Sequence, residues 1–96
     1  MKFTITKSNF LDGLNHVSRV IAPNSLFEIL KGIKIELEKD QLILKASDSL
    51  VSVEYSINSY EDDKEIITIE EEGQVVLPSR NFIEIIRKAP TDLIEI

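Results

Sequence analysis

Cysteine and tryptophan are absent from this chain, histidine occurs once, and glycine and proline appear three times each. The missing cysteines exclude disulfides, thiolate nucleophiles and zinc ribbons together, and they suit a reducing compartment. The one imidazole, His16, stands among polar neighbours with no second imidazole and no clustered carboxylate pair, so it is not a credible catalytic base. Long apolar runs are missing too. Nothing approaches the roughly 20 residues of a membrane span, and Met1 to Phe10 has Lys2 but no apolar stretch behind it. A cytoplasmic location and no membrane partner are expected. Ser79, placed before a helical pattern, lacks the flanking glycines of a nucleophile elbow. Acids are plentiful, but Glu70, Glu71 and Glu72, like Asp62 and Asp63, are adjacent in sequence. Neighbours in a strand or turn point apart and no calcium-loop spacing exists, so solvated loops are the simpler account. No catalytic residue, metal or cofactor is expected.

What is present is enough for one α+β domain with a modest core: 96 residues, of which 43% are apolar. From Met1 to Lys7, Phe3 and Ile5 alternate with Lys2, Thr4 and Thr6, the period of a half-buried strand. Ser8 offers an N-cap oxygen, and Phe10, Leu14, Val17 and Ile21 then recur at helical spacing, predicting a helix from about Asn9 to Val20. Beyond Pro23, Ile33, Ile35 and Leu37 alternate with charged residues up to a Lys39-Asp40 turn; Leu42 and Leu44 resume, and a turn near Asp48-Ser49 leads to Val51, Val53, Tyr55 and Ile57. The unit reads β-α-β-β-β. Ser59 to Lys64 reads as a charged loop and Glu65 to Glu70 as a short strand. Glu71-Glu72-Gly73 then turns the chain into a strand ending at Pro78. Ser79 is placed to cap a second helix with Phe82, Ile83, Ile86 and Ala89 on its apolar face; Pro90 stops it, and Leu93 to Ile96 begins another strand.

The two helical segments echo one another. Asn9-Phe10-Leu11-Asp12 matches Asn81-Phe82-Ile83-Glu84 in character at a constant offset of 72 residues, and each segment follows a strand and a serine. The expectation is a duplicated β-α-β-β-β unit whose second copy is unfinished. Charge follows the same division. The net charge is −6, yet the segments Ser8 to Val20 and Ser79 to Ala89 hold two acids, Asp12 and Glu84, against Arg19, Arg80, Arg87 and Lys88. All three arginines lie there, so the acidic excess belongs to the strands and loops. At about 100° per residue, Asn15, His16, Arg19, Arg80 and Arg87 fall opposite the apolar stripes. Such a face is either plain solvated surface or a weakly basic surface for a polyanion. A free-standing protein-interaction domain with acidic sheets as its working surface is the alternative.

A set of segments decides between them. Met1-Lys2-Phe3-Thr4-Ile5, Val17-Ser18-Arg19, Ile29-Leu30-Lys31-Gly32-Ile33-Lys34-Ile35, Ala46-Ser47-Asp48 and the run from Val76 to Lys88 together resemble the opening of the bacterial DNA polymerase III β subunit, the replicative sliding clamp. The likeness extends in register from Met1 to Ile96, and the charge-rich stretch from Ser59 to Gly73 resembles the longer form of Gram-positive relatives. The resemblance implies a processivity factor, non-catalytic in itself. Its family forms head-to-tail ring dimers with three similar domains per subunit, helices lining the hole around duplex DNA and sheets outside. It also implies that residues 1–96 form an N-terminal domain without its last strands. The replicative polymerase and clamp loader would bind through regions absent from this chain.

Carried over residue by residue, the resemblance places Asn15, His16 and Arg19 of the first helix and Arg80 and Arg87 of the second toward DNA, with Lys88 at the margin and Asn24 in the loop after helix one. Asn81 and Ile85 fall beside the subunit boundary. Two residues depart from the family pattern. Asn24 stands where an arginine that contacts duplex is frequent, which weakens contact through that loop. Glu28 stands where a proline is common, which leaves 25–30 open between a loop and a turn of helix capped by Ser25.

Overall fold

Alternation places Phe3 and Ile5 on the buried side of the first strand, β1 (Lys2–Thr6), and both are fully buried. The computed structural model describes residues 1–18, 32–47 and 52–96, with Ser47, Ser79 and Arg80 defined by their backbone alone. Arg19, Asn24, the open segment 25–30 and the expected turn at Asp48-Ser49 lie outside the described residues.

The first helix, α1, is described from Lys7 to Ser18 and buries Phe10, Gly13, Leu14 and Val17. It begins two residues earlier than the periodicity predicts, and Ser8 is not its cap. Thr6 takes that place: its Oγ1 accepts the Asn9 amide at 3.4 Å and the Asn9 side-chain Nδ2 at 2.7 Å. The β strand runs straight into the helix, so the hydroxyl three residues before the first free amides is Thr6.

The expected meander is present as β2 (Gly32–Leu37), β3 (Gln41–Ser47) and β4 (Ser52–Asn58), paired antiparallel in order. Cross-strand register puts Ile35 opposite Leu44 and Leu44 opposite Tyr55, so one face is apolar throughout. Ser59 to Lys64 is not a simple loop. Tyr60–Glu61 (β5) and Lys64–Glu65 (β6) form a two-residue hairpin whose turn residues, Asp62 and Asp63, have φ of 51° and 64°. Both central residues left-handed is the turn whose twist fits a hairpin, and aspartate tolerates it better than most residues. Buried Ser59 anchors the hairpin's base, donating its amide to the Asp40 carbonyl and accepting the amides of Ile66 and Ile67.

The next two strands, β7 (Ile67–Glu71) and β8 (Gly73–Pro78), follow one another through Glu72 yet lie in different sheets. The expected turn at 71–73 is instead a corner between sheets. Gly73 permits it: a Cβ there would stand 2.9 Å from the Met1 Cβ. Helix α2 (Ser79–Arg87) starts directly after β8, with extended Pro78 in the cap position and no side-chain cap, so Ser79 is its first residue rather than its cap. Pro78 lies in the outermost strand of its sheet, where a missing amide costs nothing in the ladder. The last strand is β9 (Leu93–Glu95).

The sheets run β7-β1-β9 and β4-β3-β2-β8. The duplication is visible in this order. Each helix follows one strand and precedes another, β1-α1-β2 and β8-α2-β9, and the units embrace crosswise through antiparallel pairs β1·β9 and β2·β8. Phe10 and Phe82, separated by the repeat offset, meet edge to face at 5.6 Å where α1 crosses α2, and Phe3 meets Phe10 at 5.9 Å. β3 and β4 have no counterpart after α2 within residues 1–96. One core joins both sheets and both helices, and the helices lie side by side over the sheets' apolar faces.

Candidate nucleic-acid interface

Burying one stripe of each helix against the sheets leaves the opposite stripes as a shared polar surface. On α1 this surface holds Ser8, Asp12 and Asn15, all exposed. His16 stands not at its centre but on the flank nearest β4. Its ring stacks on Tyr55 at 4.8 Å and 23°, and its Nδ1 lies 2.7 Å from the Asp12 carbonyl and 3.8 Å from Asp12 Oδ1. The Tyr55 hydroxyl donates to Asp12 Oδ2 at 3.2 Å, and burial first, then the Asp12 charge, pushes the Tyr55 pKa above its ordinary value.

On α2, helical spacing groups position 80 with Glu84 and Arg87 on one flank, and Asn81 with Ile85 on the other, with Lys88 between them just past the helix end. Arg87 donates to Glu84 Oε1 at 2.6 Å and Lys88 approaches Glu84 Oε2 at 3.9 Å. All three side chains are substantially exposed, so these pairs hold by less than about 1 kcal/mol and leave both cations free to move onto another anion. Ile85 is 66% exposed and Asn81 is exposed beside it, an uncovered apolar side chain on an otherwise polar stripe. Lys7 spans the helices: its Nζ donates to the Ala89 carbonyl beyond the end of α2 at 2.9 Å. A cation at that end also complements the helix dipole.

Of the residues singled out in the sequence, Asn15, His16, Arg87, Lys88, Asn81 and Ile85 therefore lie on the helix surface, and Arg80 is the second residue of α2. The sequence reading missed Lys7, which becomes part of α1 because the helix starts early, and Tyr55. The pairs Asp12 with His16 and Glu84 with Lys88 are legible as i,i+4 spacing, whereas nothing local links His16 to Tyr55. The sheets' outer faces and the hairpin hold the acids. Glu36 sits between Lys34 and Lys45, each 3.1 Å away, and their hydrogen bonds hold its carboxyl below the usual range. Glu61, Asp62, Asp63 and Glu65 project from the exposed hairpin. Among the described residues, no group of three or more His, Asp or Glu is gathered as a metal would need, and no helix is long and apolar enough to cross a membrane.

This arrangement has close counterparts. A family model described as the DNA polymerase III beta subunit, N-terminal domain, matches residues 1–96. The chain is 43% identical over 90 residues to the beta sliding clamp of Staphylococcus epidermidis, covering 94% of this chain and 24% of that protein. It is 42% identical over 90 residues, with the same coverage of both proteins, to the clamp of Staphylococcus aureus. Its fold superposes on the DNA polymerase sliding clamp of Bacillus subtilis with a TM-score of 0.90 at 40% identity, over 99% of this chain and 25% of that one. The beta subunit of Streptococcus pyogenes follows at 0.85 and 28%, over 99% of this chain and 24% of that one. The chain thus spans about a quarter of the length of these relatives. With two crossed β-α-β units, both helices on one surface and most acids on the strands and the hairpin, and with this similarity along its length, the chain belongs to the DNA polymerase III beta subunit N-terminal domain family.

Proposed function

We propose that this chain acts as the N-terminal domain of a sliding clamp, a ring that encircles duplex DNA and keeps the replicative polymerase on it, with α1 and α2 lining the hole. The observation that supports this most directly is the separation of charge. Lys7, Arg87 and Lys88 lie on or at the ends of two helices that share one surface, while most carboxylates lie on the strands and the hairpin. Such a lining attracts phosphates without gripping them. Each firm phosphate contact adds affinity that sliding must break, so weak cations with Asp12 and Glu84 nearby serve movement better than a strongly basic patch. No base edge needs to be read, because a ring holds by topology. The domain supplies no catalytic group of its own; polymer synthesis belongs to the polymerase it tethers. Asn15, His16, Arg19, Asn24, Arg80, Arg87 and Lys88 face the duplex in this reading. Asn81 and Ile85 adjoin the second subunit of the ring dimer, which would cover the exposed Ile85. The polymerase and clamp loader engage parts of the clamp outside this chain.

The test is charge reversal in a clamp subunit that carries this sequence as its N-terminal domain. Arg80→Glu with Arg87→Glu alters four charges while leaving the buried Ile83 and Ile86 untouched. Retention on closed circular DNA should fall modestly, and direct duplex binding at low salt more, its salt dependence becoming shallower by up to about 0.9 per lost phosphate contact. Lys39→Glu with Lys64→Glu is the matched control at exposed positions of the β2–β3 turn and the hairpin. Equal weakening by the control would remove the helices from the DNA-facing surface.

A further inference from the structure

His16 is held in a way that a solvated histidine does not need. Its ring lies on the face of Tyr55 at 4.8 Å and 23°, while Nδ1 faces the Asp12 carbonyl at 2.7 Å. A carbonyl oxygen only accepts, so this contact places the proton on Nδ1. Nε2, on the opposite edge of a ring whose side chain is 45% exposed, is then a bare lone pair in the neutral form. A lone pair repels a phosphate oxygen. Protonation changes that edge into a charged donor without moving the ring, because the Nδ1 bond and the stack on Tyr55 stay as they are. The ring is fixed from two further sides, by the Tyr55 face and by Asp12 Oδ1 at 3.8 Å. Asp12 is itself oriented by the Tyr55 hydroxyl at 3.2 Å.

We propose that Asp12 and Tyr55 position His16 as a proton-gated phosphate contact on the helix surface, silent when neutral and binding the DNA backbone when charged. The proposal rests on the reading of α1 as DNA-facing and adds to it a pH-dependent hold. The charged and titratable groups facing the ring are Asp12 on α1 and Tyr55 on β4; beyond Tyr55, the charge of Glu61 on β5 acts on the Tyr55 hydroxyl. Arg19, three positions along from His16, lies outside the described residues. Asp12 meets the ring on its Nδ1 side, which leaves the Nε2 edge to the surface.

Duplex binding at low salt is measured from about pH 5.5 to 8, across the range in which imidazoles titrate, in a clamp subunit carrying this sequence as its N-terminal domain. The unaltered protein should bind roughly threefold to tenfold tighter at the acid end, the effect of one charge-assisted phosphate contact. His16→Gln should flatten that dependence. Asp12→Asn, an exposed change that leaves the core intact, should bind tighter than the parent at the alkaline end, because an acid has left the surface. Its gain on acidification should be smaller, since the ring has lost a side chain that holds it in place. An Asp12 with no positioning role would leave the size of that gain unchanged. Tyr55→Leu should show the same smaller gain in the fraction that folds. If His16→Gln keeps the parent's pH dependence, the proposal is wrong. Arg80→Glu with Arg87→Glu separates the two failures: if it weakens binding at every pH while His16→Gln changes nothing, the DNA-facing helices stand and the His16 contact falls. If neither matters, both fall.

Discussion

Phe10 shows at the scale of one residue how the two repeats become one core. It is fully buried and touches Phe3 and Phe82 edge to face, the arrangement in which the positive rim of one ring meets the negative face of another. Phe10→Leu should cost about 1–1.5 kcal/mol and Phe10→Ala about 3–5 kcal/mol, read as the urea midpoint with an unchanged slope. A loss below about 1 kcal/mol for alanine would mean that the cavity collapses and the crossing is not a fixed joint. Tyr55 offers a second measurement. Its hydroxyl is held above 10.0 by burial first and by Asp12 second. Above the unfolded pKa the folded chain therefore keeps a proton that the unfolded chain has lost, and stability falls as pH rises through 10 toward the folded value. Lys2 and Lys45, raised by Glu70 and Glu36, decline in the same alkaline range, so the comparison must be with Tyr55→Phe. The variant should lose stability less steeply between about pH 9 and 11; identical slopes would mean that the hydroxyl ionises freely in the fold.

At the scale of elements, the helix boundaries turn on where the preceding strand ends. Periodicity marks α1 and α2 correctly, because Phe10, Leu14 and Val17, and Phe82, Ile83 and Ile86, repeat as a buried stripe must. Both starts differ from the local signal. Serine is the favoured cap in each segment, yet the preceding strands lead straight into helix and bring Thr6 and Pro78 to the cap position. Thr6→Ala should therefore cost about 1 kcal/mol, whereas Ser8→Ala, inside the first turn and exposed, should change the melting temperature by little. The reverse order would restore Ser8 as the cap. The hairpin was hidden for a related reason: Asp62 and Asp63 are a permitted but uncommon pair for a left-handed turn, and the flanking Tyr60–Glu61 and Lys64–Glu65 have no apolar alternation to mark them as strands.

For the whole molecule, the decisive feature is how the strands close. Among the described residues, sheet edges are open at β7 and β9 and at β4 and β8. β9 is three residues long and presents Leu93 at 59% exposure. Open backbone donors and acceptors beside an exposed leucine favour pairing with another copy. The 96-residue chain should show concentration-dependent association in sedimentation, reduced by Leu93→Lys. Association unchanged by the lysine would move the contact to another edge. The other large exposed apolar groups among the described residues, Val76, Ile85 and Tyr60, lie on β8, on α2 and in the hairpin, so substitution at each tests those edges.

Much of this molecule is decided locally. The alternation of Phe3 and Ile5, of Ile33, Ile35 and Leu37, and of Leu42 and Leu44 determines strands and their buried sides, since side chains of an extended chain alternate whatever they pair with. The offset between Phe10 and Phe82 makes the repeat legible, and the order of charge along the chain separates helix surface from sheet surface. Only the tertiary structure decided that β7 and β8 part company at Glu72, that β9 returns to β1 and that β2 meets β8, because strand pairing joins residues whose separation leaves no local trace. It alone placed Tyr55 under His16. The two are brought together by the packing of α1 across β4, where the bare Gly13 lets Leu44, Tyr55 and Ile57 approach to within 2.9–3.2 Å of where a Cβ would be. The residue types that make the helix surface were therefore readable from the sequence, whereas the placement of its one imidazole depends on a contact that exists only once the sheet is built.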